Sequence, residues 1–273
     1  MTNRAIAFPV ILLLIFWNLT ISAQRLPNIQ QTGLRAPAGI KIDGKATEWD
    51  NKFQAYNKAT DVFYTIANDD DNLYLTIQTP DPDVIHKIVN GRISFTINKS
   101  GKKNEDDAVV ISYPIFDRKD RPALSYRNKP KFITGSATSL KQADSIMYLN
   151  NKRMNEKAKL IKVTGVKGLD TLISAYNEDG IKAAAAFDNQ VVYTCEIAVA
   201  LKVIGLTIND PAKFSYNVRL NGLAFDDIPG INVTRAPNGT IIGVDINRKD
   251  MTPGSQGLGS PTDFWGEYTL VKK

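Results

Sequence analysis

The stretch D-V-F-Y-T-I-A-N-D-D-D-N-L-Y-L-T-I-Q-T, residues 61–79, decides the fold class of this chain. Residues 61–67 and 73–79 are rich in β-branched and aromatic side chains, which pack well on a pleated sheet. Between these two runs lies Asn-Asp-Asp-Asp-Asn, and Asp and Asn favour tight turns. The stretch therefore predicts a β-hairpin.

The same two-residue alternation continues outward from the hairpin. Leu73, Leu75 and Ile77 share one face of their strand, and residues 92–98 and 214–221 alternate in the same way. A short strand is expected upstream at residues 40–42, followed by Trp49, whose indole must either pack in a core or meet a ligand. Nine or ten such strands indicate a β-sandwich.

One helix is expected to interrupt the β framework. Ser139 and Gln142 fit a capping box, and apolar residues recur at roughly helical spacing through residues 140–157. Residues 84–89, which carry His86, predict instead a loop that crosses between two strands, and residues 116–136 predict a long loop. The fold class expected from the sequence is thus an all-β antiparallel sandwich with one inserted helix.

The N-terminus predicts export. Arg4 precedes an apolar run at residues 5–21, and Ser22-Ala23 follows, which is the three-part form of a secretory signal peptide. The apolar run is also close to the length that spans a bilayer, so a retained anchor is the alternative. We expect cleavage after Ala23, no membrane span in the mature chain, and a periplasmic or extracellular location. Residues 24–37 predict a flexible leader, and residues 38–273 one domain.

The composition excludes several classes of function. The formal charge is +6, but the lysines are scattered among 28 acidic residues, so no nucleic-acid footprint is visible. His86 is the only histidine and Cys195 the only cysteine, which argues against a catalytic triad, a zinc site and a disulfide. Cys195 falls on the apolar face of a predicted strand, which indicates a buried, inert thiol. A glycosidase needs two facing carboxylates, which the sequence does not pair.

A polar sheet face is the candidate binding site. The side chains that project opposite to apolar partners on three of the strands are Tyr74, Thr76, Gln78, Arg92, Ser94, Thr96, Asn217, Arg219 and Asn221. If these strands are neighbours, the face carries amides, hydroxyls, guanidiniums and an aromatic ring, which suit a ligand rich in hydroxyls. The alternative is an ordinary solvated face.

The hairpin turn is a candidate calcium site. Asp69 and Asp71 offer carboxylate oxygens, which Ca²⁺ prefers as ligands. The regular ligand spacing of a calcium loop is missing, however, and Asp and Asn are also common turn residues. The turn interpretation is the stronger of the two.

Several segments together resemble family 9 carbohydrate-binding modules of the DOMON-like sandwich group. The matching segments occur in the family's order: I-D-G-K-A-T-E-W (42–49), N-D-D-D-N-L-Y-L (68–75), Y-T-C-E-I-A-V-A-L (193–201), F-S-Y-N-V (214–218) and F-W-G-E-Y-T-L (264–270). The chain also resembles a group of exported bacterial proteins that carry such a domain, with I-N-x-x-G-K-K (97–103) and I-K-A-A-A-A-F (181–187).

The resemblance implies a jelly-roll-like β-sandwich, often with bound calcium, and sugar binding between two tryptophans. Once the signal peptide is removed, only Trp49 and Trp265 remain. Trp49 belongs to the Glu-Trp motif, where the resemblance implies that it packs in the core, so a two-tryptophan clamp cannot be assigned. Trp265 is then the candidate for stacking on a sugar ring.

The sequence favours a non-catalytic exported module that binds a carbohydrate or a sugar-like ligand. The expected ligand contacts are Tyr74, Gln78, Arg92, Asn217, Arg219 and Trp265. The alternative is a structural or protein-interaction module of the cell envelope, which would contact its partner through residues 116–136 and the inserted helix. A glycosidase is the third and weakest hypothesis.

Overall fold

The computed structural model of the chain describes residues 25–127, 137–210, 212–251 and 255–273. The predicted signal peptide, residues 1–23, lies outside the described residues. The strands within these ranges are β1 (Ala55–Asn57), β2 (Val62–Asn68), β3 (Asn72–Thr79), β4 (Ile93–Asn98), β5 (Val109–Ile115), β6 (Leu160–Thr164), β7 (Leu172–Ser174), β8 (Ile181–Phe187), β9 (Tyr193–Ala200), β10 (Phe214–Leu220), β11 (Ile231–Arg235), β12 (Ile241–Ile246) and β13 (Thr262–Tyr268). The α-helices there are α1 (Pro82–Gly91), α2 (Ala137–Lys157) and α3 (Ser255–Leu258).

Two antiparallel sheets pack into a sandwich. Sheet A has the strand order β1-β2-β3-β9-β8, and sheet B has the order β13-β10-β4-β5-β6-β7. Strands β11 and β12 form a separate two-stranded hairpin. The all-β, jelly-roll-like sandwich expected from the sequence is therefore confirmed, and α2 is the inserted helix.

The core lies between the two sheets, because alternate residues of each strand face inward. Leu75 and Ile77 of β3 contribute from sheet A, and Ile93 and Phe95 of β4 contribute from sheet B. Each of these side chains is at most 1% exposed. Cys195 of β9 lies in the same cluster as a free, buried thiol, as the sequence predicted, and its burial raises its pKa.

Two local predictions are wrong. Residues 40–42 form no strand. Residues 84–89 belong to helix α1 and are not a loop. The helix begins after Asp81, whose Oδ1 accepts hydrogen bonds from the backbone N–H groups of Asp83 and Val84 at 2.8 and 3.0 Å. Pro82 occupies the first helical position, where its missing N–H costs no hydrogen bond.

The segment predicted as a flexible leader bonds to sheet A from Pro27 onward, since the Pro27 carbonyl accepts from the Tyr56 N–H at 3.0 Å. Gln30 is 6% exposed, and its side chain donates to the Ile66 carbonyl and accepts from the Ile66 N–H, each at 2.8 Å. Its backbone N–H donates to Tyr64 Oη at 2.8 Å. These bonds join the segment to β2, so the structure differs from the expectation of a flexible leader.

The segment at residues 38–54 covers the rest of the outer face of sheet A. Trp49 is 7% exposed and packs in a small cluster with Ala46, Phe53 and Ala67. The indole therefore packs in a hydrophobic cluster, as the resemblance of its sequence motif implied. The outer face of sheet A is consequently closed to a ligand along most of its length.

A buried carboxylate holds this covering segment. Glu196 of β9 is 0% exposed, and its Oε2 accepts hydrogen bonds from the backbone N–H groups of Asp43 and Gly44 at 3.1 and 3.0 Å. Burial raises the pKa of Glu196 from 4.5 to about 7, while the two N–H donors act in the opposite direction. The folded chain therefore holds this proton more tightly than the unfolded chain.

The raised pKa of Glu196 predicts a pH-dependent stability. Its contribution to the unfolding free energy is fully present below about pH 4.5 and is lost as the pH rises through about 7. Glu196→Gln keeps an acceptor for the two N–H groups but does not titrate. We expect urea denaturation to give a free energy of unfolding for the variant that rises relative to that of the wild type as the pH increases. Between pH 4.5 and pH 8 this difference should change by about 3 kcal/mol in favour of the variant.

Glu178→Gln, at an exposed position, is the matched control and should track the wild type at every pH. A free-energy difference between Glu196→Gln and the wild type that does not change with pH would contradict this account of Glu196.

None of the helices in the described ranges has both the length and the apolar composition needed to cross a bilayer.

Candidate functional site

The polar face predicted from the sequence divides between the two sheets. Tyr74 and Gln78 lie on β3 in sheet A, whereas Arg92 precedes β4, and Asn217 and Arg219 lie on β10 in sheet B. The neighbours of β3 are β2 and β9, so the condition that all three strands are neighbours is met only by β4 and β10. The structure brings Arg92, Asn217 and Arg219 to one face and leaves Tyr74 and Gln78 on another.

Tyr74 and Gln78 have partners within the protein. Tyr74 is 6% exposed and its hydroxyl donates to Asp69 Oδ2 at 2.5 Å, while burial raises its pKa. Gln78 Nε2 donates to Thr194 Oγ1 at 3.0 Å. Both side chains lie on the face that residues 25–54 cover, which places them apart from a solvent-open site.

Sheet B, by contrast, presents a continuous row of polar side chains on its outer face. Arg219 of β10 pairs in register with Ser94 of β4, Ser94 with Ser112 of β5, and Ser112 with Lys162 of β6. We call these four residues the serine row. Neighbouring strands lie about 4.8 Å apart, so the row crosses the sheet over about 14 Å.

The serine row forms the floor of a cleft of about 300 Å³. Ser94 Oγ and Ser112 Oγ are 2.8 Å apart, and Asn221 Nδ2 donates to Ser94 Oγ at 2.9 Å. Asn221 also donates to the Arg92 carbonyl at 3.1 Å, which fixes the cleft wall. The hydroxyls are held in place by one another and keep lone pairs for a ligand.

Three cations and one carboxylate line this cleft. Arg219 Nη1 lies 3.0 Å from Glu105 Oε1, and the buried Arg219 Nε has no hydrogen-bond partner among the described residues. Arg92 and Lys162 form no ion pair with any residue that the structure describes. Positively charged side chains therefore outnumber carboxylates in the lining.

Arg92 lies at the rim of the cleft, and its backbone φ of +72° is in the left-handed region. A non-glycine residue in this region stores backbone strain, which the surrounding structure must hold. Its backbone N–H donates to the Ile88 carbonyl at 2.7 Å and so ends helix α1. The turn from α1 into β4 therefore directs the residue to the cleft that it lines.

Trp265 lies on the same face, next to the cleft. It pairs in register with Asn217, in the row adjacent to the serine row, and it is half-buried. Asn217 is 0% exposed, and its Nδ2 donates to Asp263 Oδ2 and to the Phe264 carbonyl at 2.6 and 3.0 Å. Asn217 thus positions the strand that carries Trp265 and is not itself open to a ligand.

The sequence analysis missed Ser112, Lys162 and Glu105 as cleft residues. Ser112 and Lys162 each occupy the polar side of a short alternating strand, which was the available signal. Glu105 lies in a charged turn, and only the fold brings it to Arg219.

The carboxylate of Asp69, one of the two predicted calcium ligands, is engaged within the turn. Asp69 Oδ1 accepts from the backbone N–H groups of Asp71 and Asn72 at 2.8 and 2.7 Å, and its Oδ2 accepts from Tyr74. These donors engage both carboxylate oxygens of Asp69. No group of three or more His, Cys, Asp or Glu residues able to hold a metal occurs within the described ranges. The hydrogen bonds that Asp69 accepts are those of an Asp residue that stabilises a turn.

Calcium is accordingly expected to leave the stability of the protein unchanged. A ligand that binds only the native state raises the midpoint temperature of unfolding, and the midpoint keeps rising as the ligand concentration exceeds the dissociation constant. Thermal unfolding in millimolar CaCl₂ and in EDTA should give the same midpoint. A midpoint that rises with the calcium concentration, and that Asp69→Asn abolishes, would contradict this assignment of the turn.

Comparisons with known proteins give likenesses among solved structures. No protein-family model matches the chain, and no curated protein matches it. Among solved structures, the chain is similar to a carbohydrate-binding module of family 9 from Caldicellulosiruptor kristjanssonii in complex with glucose. The TM-score is 0.38 and the identity 11%, over 88% of this chain and 95% of that chain. A likeness at this level defines neither a family nor a ligand for this protein.

Proposed function

We propose that the protein is an exported, non-catalytic module that binds a saccharide in the sheet B cleft. The observation that carries the proposal is the serine row, which places two hydroxyls between two cations on the floor of a cleft. A sugar ring offers hydroxyls that accept from guanidinium and ammonium groups and exchange hydrogen bonds with serine. A chain of sugar rings lying across the strands would meet these groups in turn.

Trp265 supports the proposal from the edge of the same face. The flat indole suits the apolar face of a sugar ring, because aromatic side chains contribute large contact areas with specific geometry. Its half-buried position restricts the ring, so little conformational entropy is lost on binding. Arg92, Arg219 and Trp265 are then the ligand contacts retained from the sequence prediction, with Ser94, Ser112 and Lys162 added.

Replacing the two cations without ion pairs tests the proposal. Arg92→Met and Lys162→Met keep the aliphatic stem and remove the charge. A glycan array should identify a saccharide for the wild type, and calorimetry should then show at least a tenfold weaker affinity for the double variant, because hydrogen bonds to charged groups contribute about 1.5–3 kcal/mol each.

The matched control is Lys58→Met, an exposed lysine in the segment after β1, which should bind like the wild type. Absence of saccharide binding by the wild type, or equal affinities for the double variant and the control, would contradict the proposed site.

A protein-interaction module of the cell envelope is the second candidate function. Helix α2 exposes three large apolar side chains, Leu140, Tyr148 and Leu149, which are 51%, 65% and 45% exposed. Part of the loop expected to take part, residues 128–136, lies outside the described residues. Co-purification of a defined partner from envelope fractions, lost on Tyr148→Ser and Leu149→Ser, would favour this function over saccharide binding.

A further inference from the structure

A second and larger cleft, of about 750 Å³, lies beside β8, the edge strand of sheet A. Its walls are residues 183–186 of β8, helix α2 and residues 42–45. The saccharide proposal does not involve this cleft, which lies away from the serine row. An edge strand presents a row of unpaired N–H and C=O groups. These groups can bind a further strand only if they point into the cleft.

The hydrogen bonds of Phe187 show the direction of the edge groups. Its N–H donates to Asn151 Oδ1 at 2.7 Å, and its C=O accepts from Asn151 Nδ2 at 2.9 Å. Asn151 is on α2, so both groups of Phe187 point away from β9. Alternate residues of an antiparallel strand direct these groups to the same side, and Ala185 and Ala183 therefore also point away from β9.

Both ends of the strand agree with this assignment. Ile181, two residues before Ala183, accepts a hydrogen bond at its C=O from Asn177 Nδ2 at 2.7 Å. On the opposite side, the Gly180 C=O accepts from the Ala200 N–H at 2.7 Å, and the Asp188 N–H donates to the Val192 C=O at 3.0 Å.

The middle of the edge is left open. Ala183 and Ala185 both line the cleft, and within the described ranges their outward N–H and C=O groups have no hydrogen-bond partner. The side-chain amides of Asn151 and Asn177 take the place of a neighbouring strand at Phe187 and at Ile181, one on each side. The unpaired stretch therefore has a defined length.

The cleft is recessed, which selects the shape of a partner. Gly44 crosses the outer face of β8 with φ +80°, so close that an added Cβ would lie 2.5 Å from the Ala185 carbonyl carbon. Helix α2 stands on the other side and bonds to Phe187. The edge of another folded sheet cannot enter between these walls, whereas a single extended chain can.

The walls of the cleft differ in polarity. Tyr113 and Met154, 3% and 1% exposed, give it an apolar interior, and Lys182 and Asp43 lie nearer to solvent. A strand that pairs with β8 would direct alternate side chains to these two environments.

We propose that this cleft binds an extended peptide of about four residues, added as a strand to β8. Its backbone pairs with the N–H and C=O groups of Ala183 and Ala185. Alternate side chains of the peptide are apolar and face Tyr113 and Met154, and those between them are polar.

Selection of a random heptapeptide phage library on the purified protein, followed by calorimetry with the synthesised peptides, tests the proposal. Ala185→Pro removes the outward N–H and leaves the ladder to β9 intact, since proline is tolerated on edge strands where its N–H would face outward. We expect this variant to bind the selected peptides at least tenfold more weakly. Ala38→Pro, at an exposed turn position outside the cleft lining, is the matched control and should bind them like the wild type.

A scan of backbone N-methylation on the selected peptide provides a readout that needs no protein variant. Strand addition predicts that methylation at every second residue abolishes binding and that methylation at the residues between leaves it unchanged. Failure to enrich any peptide, or loss of affinity without this alternation, would overturn the proposal. Concentration-dependent dimerisation that Ala185→Pro abolishes would also overturn it, because the edge would then pair with a second copy.

Discussion

Gly266→Ala is expected to lower the free energy of unfolding by about 3 kcal/mol. Gly266 of β13 lies opposite Tyr216 of β10, and a Cβ at this position would lie 2.2 Å from Tyr216 Cζ and 2.3 Å from its hydroxyl oxygen. Tyr216 is 0% exposed, and its hydroxyl lies 3.2 Å from that of Tyr64. The ring therefore cannot move aside without disturbing the contact between the two sheets.

The matched control is Gly243→Ala on β12. An added Cβ there would lie 3.5 Å from Thr234 Cβ, which is an ordinary van der Waals contact. Urea denaturation should show no loss of stability for this variant, because alanine costs less backbone entropy than glycine in a strand. Equal effects of the two substitutions would contradict the packing of Tyr216 over Gly266. Recovery of stability in Gly266→Ala with Tyr216→Leu would support it.

Trp265→Ala is expected to weaken saccharide binding about 30-fold, equivalent to about 2 kcal/mol, because aromatic anchors dominate the energy of such contacts. Trp265→Phe should retain much of the affinity, since a ring remains for stacking. Calorimetry with the saccharide chosen on the glycan array measures both effects. The unfolding midpoint of each variant should be measured in parallel, because the indole is half-buried.

Tyr176→Ala provides the control for Trp265→Ala. Tyr176 is 71% exposed, and it lines the cleft beside β8 and not the cleft of the serine row. Its removal should leave saccharide affinity unchanged. Affinity that falls with Tyr176→Ala and not with Trp265→Ala would move the binding site to the cleft beside β8.

The local elements were readable from the sequence where a two-residue period was strong. The hairpin of β2 and β3 and the alternation of Phe214–Leu220 on β10 both appear as predicted. Helix α1 was missed although its signals were present. Asp81 and Pro82 mark a helix start, and Ile85 and Ile88, both 0% exposed, have helical spacing.

The composition of the candidate site depended on long-range packing, which local patterns do not contain. Nothing in residues 73–79 indicates that β9, more than 100 positions later in the chain, is the neighbour of β3. For the same reason the sequence could not show that Trp49 and its neighbours pack on Ala67, the residue that pairs with Tyr74 on the outer face of sheet A. The pairing of Ser94 with Ser112 likewise became visible only with the strand order.

The central claim is that a saccharide binds along the serine row of sheet B. Amide chemical-shift mapping of the ¹⁵N-labelled protein, titrated with the saccharide chosen on the glycan array, tests it most directly. We predict saturable shifts at Ser94, Ser112, Lys162 and Arg219 and at the indole N–H of Trp265, with residues 183–186 unmoved. Shifts confined to residues 183–186 and α2, or no saturable shifts, would contradict the claim.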